Sequence, residues 1–195
     1  MNAYAAGLRT YPDDVSAWAR AGILDDVAWY SAELDVLGRH AQAARYRRRL
    51  YDYARASYAP TALANATRLA LAHKTNASFN AYDAAMHPGG PSSSIYPRGA
   101  YEDTGAEAQF ESGLSAGSDG HLTAARADFA SAVRSSPEFA QAWLLLGVSD
   151  YLAHDLLDAR RAWNSALLAR GTAMPGSRPP IDPTTVSASY LLLKT

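Results

Sequence analysis

The chain contains no cysteine. This excludes disulfide bonds, thiolate metal sites and a cysteine nucleophile, although it leaves the cellular compartment open. The chain also lacks an excess of charge of either sign, since it has 18 Lys and Arg and 19 Asp and Glu. A net charge of −1 argues against general binding to nucleic acid or anionic membranes. The longest apolar run, 142–148, is far shorter than the ~20 residues of a membrane-spanning helix.

Motifs for common catalytic and cofactor sites are missing as well. The five histidines form no HExxH or similar metal-ligand motif, and the sequence has no Gly-x-Ser-x-Gly elbow and no Walker-type loop. Gly89 and Gly90 lack the preceding strand and following helix of a phosphate site. The N-terminus has no basic start followed by an apolar core, which a signal peptide would need. We therefore predict no catalysis, no cofactor and no metal.

What the sequence does contain is an internal repeat. Hydrophobic residues make up 48% of the 195 residues, which is enough for a packed core. Small and aromatic residues recur in residues 106–171 at a spacing of 34: Gly113 returns as Gly147, Ala125 as Ala159, Phe129 as Trp163 and Ala132 as Ala166. A fixed period of this length is typical of helical-repeat proteins. The glycines and alanines would let paired helices approach closely, and the aromatic rings would fill the space between hairpins.

The second copy reads Trp143-x-x-Leu146-Gly147 and then Ala159-x-x-x-Trp163, and Pro137 closes the first copy. This resembles the tetratricopeptide repeat (TPR), which has a Trp-x-x-Leu-Gly start, a later Ala-x-x-x-Phe and a terminal Pro. The resemblance implies an all-α fold: a right-handed α-solenoid of TPR-like helical hairpins with a C-terminal capping helix. Some positions depart from the family pattern, where Trp, Leu, Tyr and Pro are usual: Gln109, Ser112, Asp150 and Gly171.

We predict four segments along the chain. Residues 1–87 hold degenerate TPR-like hairpins, 88–104 an irregular linker or loop, 105–171 two clear TPR repeats, and 172–195 a linker and the capping helix. Asp182 and Pro183 begin that helix. The degenerate part is aligned by matching Trp18 to Trp143, Gly22 to Gly147, and Ala77, Ala81 and Ala84 to Ala125, Phe129 and Ala132. Because this alignment starts in mid-hairpin, we expect a piece of a longer protein or a shortened first cap.

The resemblance also implies a concave groove, formed by the first helix of each pair, that holds an extended or helical peptide. The matching positions give an apolar face with a polar edge: Glu107, Phe110, Leu114, Gln141, Leu144, Val148 and Tyr151. TPR proteins that grip a C-terminal carboxylate use Lys, Arg and Asn there, so we expect no carboxylate clamp. A second interpretation, given equal weight, is that the last helix, Pro183–Lys194, covers some of these residues.

The predicted function is a TPR-type protein–protein interaction scaffold that binds a protein or peptide segment in this groove, without catalysis. One alternative is a TPR accessory domain of a bacterial envelope export or assembly system, which would bind subunits or polysaccharide. The Ala- and Arg-rich composition gives a bacterial impression, and 12 tyrosines would suit sugar stacking. Another alternative is a catalytic site under the 87–104 loop that uses His87 and His121.

Residues 39–74 carry eight basic residues and one acidic residue. The run Arg45-Tyr46-Arg47-Arg48-Arg49 could form a phosphate or nucleic-acid patch. We favour a solvated helix face opposite acidic helices, because Tyr46 and Leu50 place a core stripe within the run. Asp150, His154 and Asp158 are spaced by four residues, but the repeat places a turn near His154. We therefore expect a surface histidine and no metal ligand.

Overall fold

The computed structural model describes residues 14–20, 22–88, 104–169 and 181–195. This part of the chain is all-helical and contains no β-strand. Its ten helices are α1 (Val15–Arg20), α2 (Leu24–Val36), α3 (His40–Tyr58), α4 (Ala62–Leu71), α5 (Thr75–Met86), α6 (Thr104–Ser118), α7 (Leu122–Ser135), α8 (Ala140–Leu152), α9 (Leu156–Leu168) and α10 (Pro183–Lys194). Among these, none has the length and apolar character to cross a membrane.

Local capping explains where several helices begin. Asp182 accepts hydrogen bonds from the backbone N–H groups of Thr184 and Thr185, and Pro183 takes the first position of α10, as predicted. Thr61 caps α4 by accepting a hydrogen bond from Ala64 N–H. Helix α4 therefore begins at Ala62, directly after this cap.

Eight helices pair as four hairpins: α2/α3, α4/α5, α6/α7 and α8/α9. The second helix of one hairpin packs on the first helix of another, α5 on α6, α7 on α8 and α9 on α2. The α2/α3 hairpin, which comes first in the sequence, therefore lies next to the α8/α9 hairpin in space. A linear stacking of hairpins in chain order does not describe this arrangement.

The turns of the four hairpins define a common register. Each turn has one residue with a left-handed backbone: Gly38 (φ 74°), His73 (53°), Gly120 (86°) and His154 (65°). The last two are 34 residues apart, whereas His73 and Gly120 are 47 apart, so 13 additional residues (47 − 34) separate the α4/α5 and α6/α7 hairpins. This insertion hides the α4/α5 hairpin from a search at a fixed period of 34 residues.

The same register corrects the alignment of the α4/α5 hairpin. Nine residues after its turn residue stands Tyr82, as Phe129 and Trp163 stand nine residues after theirs. Tyr82 and Phe79 are fully buried, whereas Ala81 is only partly buried. The predicted alignment of Ala77, Ala81 and Ala84 is therefore shifted by one residue, and Tyr82 occupies the aromatic position.

Glycines allow the close approach of paired helices, as predicted. A Cβ on Gly113 would lie 2.7 Å from Phe129 Cε1, and one on Gly147 would overlap the Trp163 ring. The Phe129 ring also stacks on Phe79 of the preceding hairpin, with centroids 6.1 Å apart, so it fills the space between hairpins. Gly22 does not share this role, because a Cβ there would meet open space.

The last helix, α10, lies among the hairpins and does more than cap one end. It packs against α2 and α3, against α4, and against α8 and α9. Seven of its twelve residues are buried: Thr184, Val186, Ser187, Ala188, Ser189, Leu191 and Leu192. A helix with buried residues on most of its circumference belongs to the core.

Candidate functional site

The residues predicted to line an open groove lie largely inside the core. Phe110, Leu114, Leu144 and Val148 have at most 1% of their surface exposed. Gln141 is also buried, and Glu107 and Tyr151 are half-buried. The Phe110 ring packs on Phe139 at a centroid distance of 4.8 Å. In this arrangement the four apolar side chains stabilise the fold and are not accessible to a partner.

Cover by the last helix, the other interpretation of these residues, agrees with the packing of α10 against α8. Trp163 also contributes, since its indole N–H donates to the Leu144 carbonyl oxygen at 3.3 Å. Substitution of Leu144 would therefore disturb folding before it disturbed any binding. The site to consider is the groove that α10 itself occupies.

A chain of buried hydroxyl groups lines that groove. The Tyr58 hydroxyl lies 2.6 Å from the Ser187 hydroxyl of α10 and donates to Thr67 Oγ1 at 3.2 Å. Thr67 Oγ1 in turn lies 3.1 Å from the Tyr82 hydroxyl. Burial raises the pKa of Tyr58 to about 12, although its hydrogen bonds with Ser187 and Thr67 oppose the rise. The phenol therefore stays protonated, and the chain connects α10 to α3, α4 and α5.

A buried ion pair fixes the α2/α3 hairpin beside α9. Arg47 donates to Asp35 Oδ2 at 2.6 Å, to Ser31 Oγ at 3.1 Å and to Asn164 Oδ1 on α9 at 2.7 Å. His40 Nδ1 lies 2.8 Å from Asp35 Oδ1. Burial alone would raise the pKa of Asp35, but these hydrogen bonds and the charge of Arg47 outweigh it and lower the pKa.

The ion pair corrects the interpretation of the arginine run. Arg47 is 1% exposed, so the run is not a single solvated face. Its neighbour Arg48 lines a cleft of about 220 Å³ between α3 and the end of α10, together with Tyr51, Asp52, Arg55, Tyr190, Leu193 and Lys194. In this cleft Tyr51 stacks on Tyr190 with centroids 4.5 Å apart. Cations beside the C-terminus of α10 complement the negative end of its dipole, which accounts for their placement structurally.

The turn histidines lie at the surface. His154 is exposed in the α8–α9 turn, as predicted, and its ring stacks on His73 of the α4–α5 turn at 5.3 Å. The Tyr151 ring stacks on His73 at 4.7 Å. Arg126 contacts three carboxylates around this turn, pairing with Asp150 and lying 3.3 Å from Asp155 and 3.7 Å from Asp158. Burial raises the pKa of Asp150, and Arg126 partly offsets the rise.

The catalytic alternative paired His87 with His121, and the two lie apart. His121 is exposed in the α6–α7 turn. His87 ends α5 and lies between two carboxylates, with Nδ1 3.0 Å from Asp83 Oδ1 and Nε2 3.1 Å from Glu111 Oε1. Spacing by four residues could have paired Asp83 with His87, but Glu111 depends on how α6 docks. Residues 89–103 of the predicted loop, under which this site was expected, lie outside the described residues.

Comparison with known proteins returned no matching family model, curated protein or solved structure. The TPR assignment therefore stays a prediction based on the repeat pattern, as do the bacterial origin and the envelope alternative.

Proposed function

We propose that this protein is a helical-repeat interaction scaffold that binds a helical segment of a partner protein in the groove now occupied by α10. One observation carries the proposal: the hairpins already hold a helix of their own chain on a polar and apolar surface matched to it. Repeat scaffolds of the TPR type bind peptides between hairpins, which fits this use of the groove.

The contacts of α10 define the chemistry of a partner. Ser187 contacts the Tyr58 hydroxyl, and Leu191 and Leu192 are buried four and five residues later. A binding helix would therefore need a small hydroxyl residue followed at one-turn spacing by leucine. Larger or charged residues at the serine position would remove the hydroxyl that Tyr58 contacts and would place bulk or charge in a buried setting, which is unfavourable.

In this proposal α10 acts as an intramolecular ligand. A partner helix would compete with a segment that is covalently attached and therefore present at high effective concentration. Capture would be weak for the intact chain and stronger when α10 is displaced. The scaffold would thus be self-occupied until a better-fitting helix arrives.

A peptide-binding experiment tests this directly. The variant Ser187→Glu in the full chain should expel α10, because it places a charge against the buried Tyr58 hydroxyl. A fluorescent peptide of residues 181–195 should then bind this variant much more tightly than wild type, measured by fluorescence anisotropy. The same peptide carrying Ser187→Glu should not bind, and Thr185→Glu, on a half-buried position, is the matched control in the chain.

Circular dichroism keeps the result interpretable. A Ser187→Glu chain that retains its helical signal but fails to bind the wild-type peptide would contradict the proposal. Equal binding of the wild-type and Ser187→Glu peptides would contradict it as well, because the groove would then not recognise the hydroxyl position.

A further inference from the structure

We propose that Asp83, His87 and Glu111 form a site for a divalent transition-metal ion of the Zn²⁺ class, at the junction of α5 and α6. The three side chains each offer one ligand atom, and these atoms lie within 4.8 Å of one another. The His87 side chain is 7% exposed, whereas those of Asp83 and Glu111 are 53% and 43% exposed. The cluster is therefore anchored on a buried imidazole and reachable from solvent through its carboxylates.

The contacts of the His87 ring would be satisfied by an additional proton or metal ion in the cluster. Both imidazole nitrogens of His87 face carboxylate oxygens, at 3.0 Å and 3.1 Å. A neutral imidazole carries one N–H, so it can donate to only one of the two carboxylates. The other contact would place a nitrogen lone pair against an oxygen lone pair. A second proton or a metal ion at one of the two contacts would remove this repulsion.

Charge favours the metal ion over the proton. An imidazolium between two carboxylates leaves a net charge of −1, whereas a divalent ion with a neutral imidazole gives a net charge of zero.

The distances assign a role to each residue. Ligands of one metal ion bonded at about 2.0–2.1 Å lie roughly 3 Å apart, and the His87 Nε2 to Glu111 Oε1 distance is 3.1 Å. Nε2 and Glu111 would bind the ion, and water would complete its coordination. Asp83 would accept the hydrogen of Nδ1–H and orient the ring, an arrangement common around metal-bound histidines.

The ligand types select the metal. Imidazole with carboxylate suits Zn²⁺ and other first-row transition ions, whereas Mg²⁺ prefers oxygen ligands and keeps its water. Because Asp83 and His87 lie at the end of α5 and Glu111 lies on α6, the ion would link the α4/α5 hairpin to the α6/α7 hairpin. This junction is where the sequence spacing widens from 34 to 47 residues.

Titration of the untagged full chain, stripped with a chelator, tests the site. Isothermal titration calorimetry should give one Zn²⁺ per chain and no binding of Mg²⁺. At a free Zn²⁺ concentration 100-fold above Kd, Tm should rise by about 5–10 °C. Both His87→Gln and Glu111→Gln should abolish binding, and Asp83→Asn should weaken it by roughly 10- to 100-fold.

The matched control is His40→Gln, because His40 also contacts one carboxylate, Asp35, but no second one. This variant should bind Zn²⁺ like wild type, and a comparable loss there would overturn the proposal. So would the absence of stoichiometric binding, or binding retained by Glu111→Gln with an unchanged helical signal. A loss in Asp83→Asn as complete as in Glu111→Gln would overturn the orienting role of Asp83.

Discussion

The hairpins α8/α9 and α2/α3 place different side chains at equivalent positions of the contact between their two helices. Seven residues before the turn residue stand Gly147 in one and Ser31 in the other, and nine residues after it stand Trp163 and Arg47. In α8/α9 the glycine receives the flat indole ring. In α2/α3 the serine accepts a hydrogen bond from the guanidinium, which occupies the aromatic position.

The two hairpins differ in what their central contact requires: a close fit in α8/α9 and directed hydrogen bonds in α2/α3. An aromatic ring against glycine needs only a close fit, so hairpins of this kind can stack on one another repeatedly. A buried guanidinium needs acceptors at defined angles, and one of them, Asn164, belongs to α9. The α2/α3 hairpin therefore fits beside α9, where Asn164 supplies this acceptor, and would not fit a position without it. We infer that the ion pair selects the position of the hairpin more than it adds stability.

Arg47→Met should cause the largest loss of stability among the substitutions that test this difference. The methionine leaves Asp35 buried without its cation, and loss of one partner of a buried pair costs about 3–5 kcal/mol. Urea unfolding followed by circular dichroism measures the change. Arg48→Met, at the exposed next position, is the control and should stay within about 0.5 kcal/mol of wild type. Equal effects of the two substitutions would remove the special role of Arg47.

Gly147→Ala should have the next largest effect. The added methyl group overlaps the Trp163 ring and lies 3.0 Å from the Ala159 carbonyl oxygen, so we expect a loss of about 1–3 kcal/mol. A double-mutant cycle with Trp163→Leu isolates the cause, because the alanine should destabilise less once the ring is gone. An unchanged effect in the Trp163→Leu background would place the strain elsewhere.

Tyr58→Phe should weaken the attachment of α10 by about 1–2 kcal/mol, because Ser187 and Thr67 lose a buried hydrogen-bond partner. Unfolding free energy and hydrogen exchange in residues 183–194 both report this loss. Tyr53→Phe is the control, since Tyr53 is exposed and on the same helix. If α10 exchanges no faster in Tyr58→Phe than in Tyr53→Phe, the hydroxyl chain does not hold it.

Lowering the pH should change the stability contributions of Asp35 in α2/α3 and Asp150 in α8/α9 in opposite directions. Both effects should be smaller than those of the substitutions above. The pKa of Asp35 is lowered in the folded chain, so its stabilisation is complete above the ordinary value of about 3.9 and is lost as the pH falls through the folded value. The pKa of Asp150 is raised, so its penalty near neutrality is relieved as the pH falls. The unfolding free energy of wild type relative to Asp35→Asn should shrink below about pH 4, and that relative to Asp150→Asn should grow on mild acidification.

The sequence predicted the regular part of the fold because its signals are local. Gly113 and Gly147, their aromatic partners and the Asp182 cap can each be read within one hairpin or one turn. The insertion between α5 and α6 broke the period and concealed Tyr82. The position of α2/α3 beside α9 depends on Asn164, more than 100 residues away from Arg47. No local pattern carries such information.

The candidate site was predicted less well for the same reason. A groove drawn from first-helix positions takes no account of what covers them, and burial of Phe110 and Leu144 follows from tertiary packing. Likewise, Asp83 and His87 share a helix face by spacing, while Glu111 joins them only through the docking of α6. Charge counts suggested a solvated arginine face, and one arginine of the run is instead the centre of a buried pair.

The stacked turn histidines close the gap between two hairpin turns. His73 follows the end of α4 and His154 follows the end of α8, and α10 packs against both helices. Their ring centroids are 5.3 Å apart, whereas a helix with its side chains is about 10–12 Å wide. A helix therefore cannot pass between the His73 and His154 rings. For the exchange of α10 proposed above, this stacked pair closes one route past the α4–α5 and α8–α9 turns.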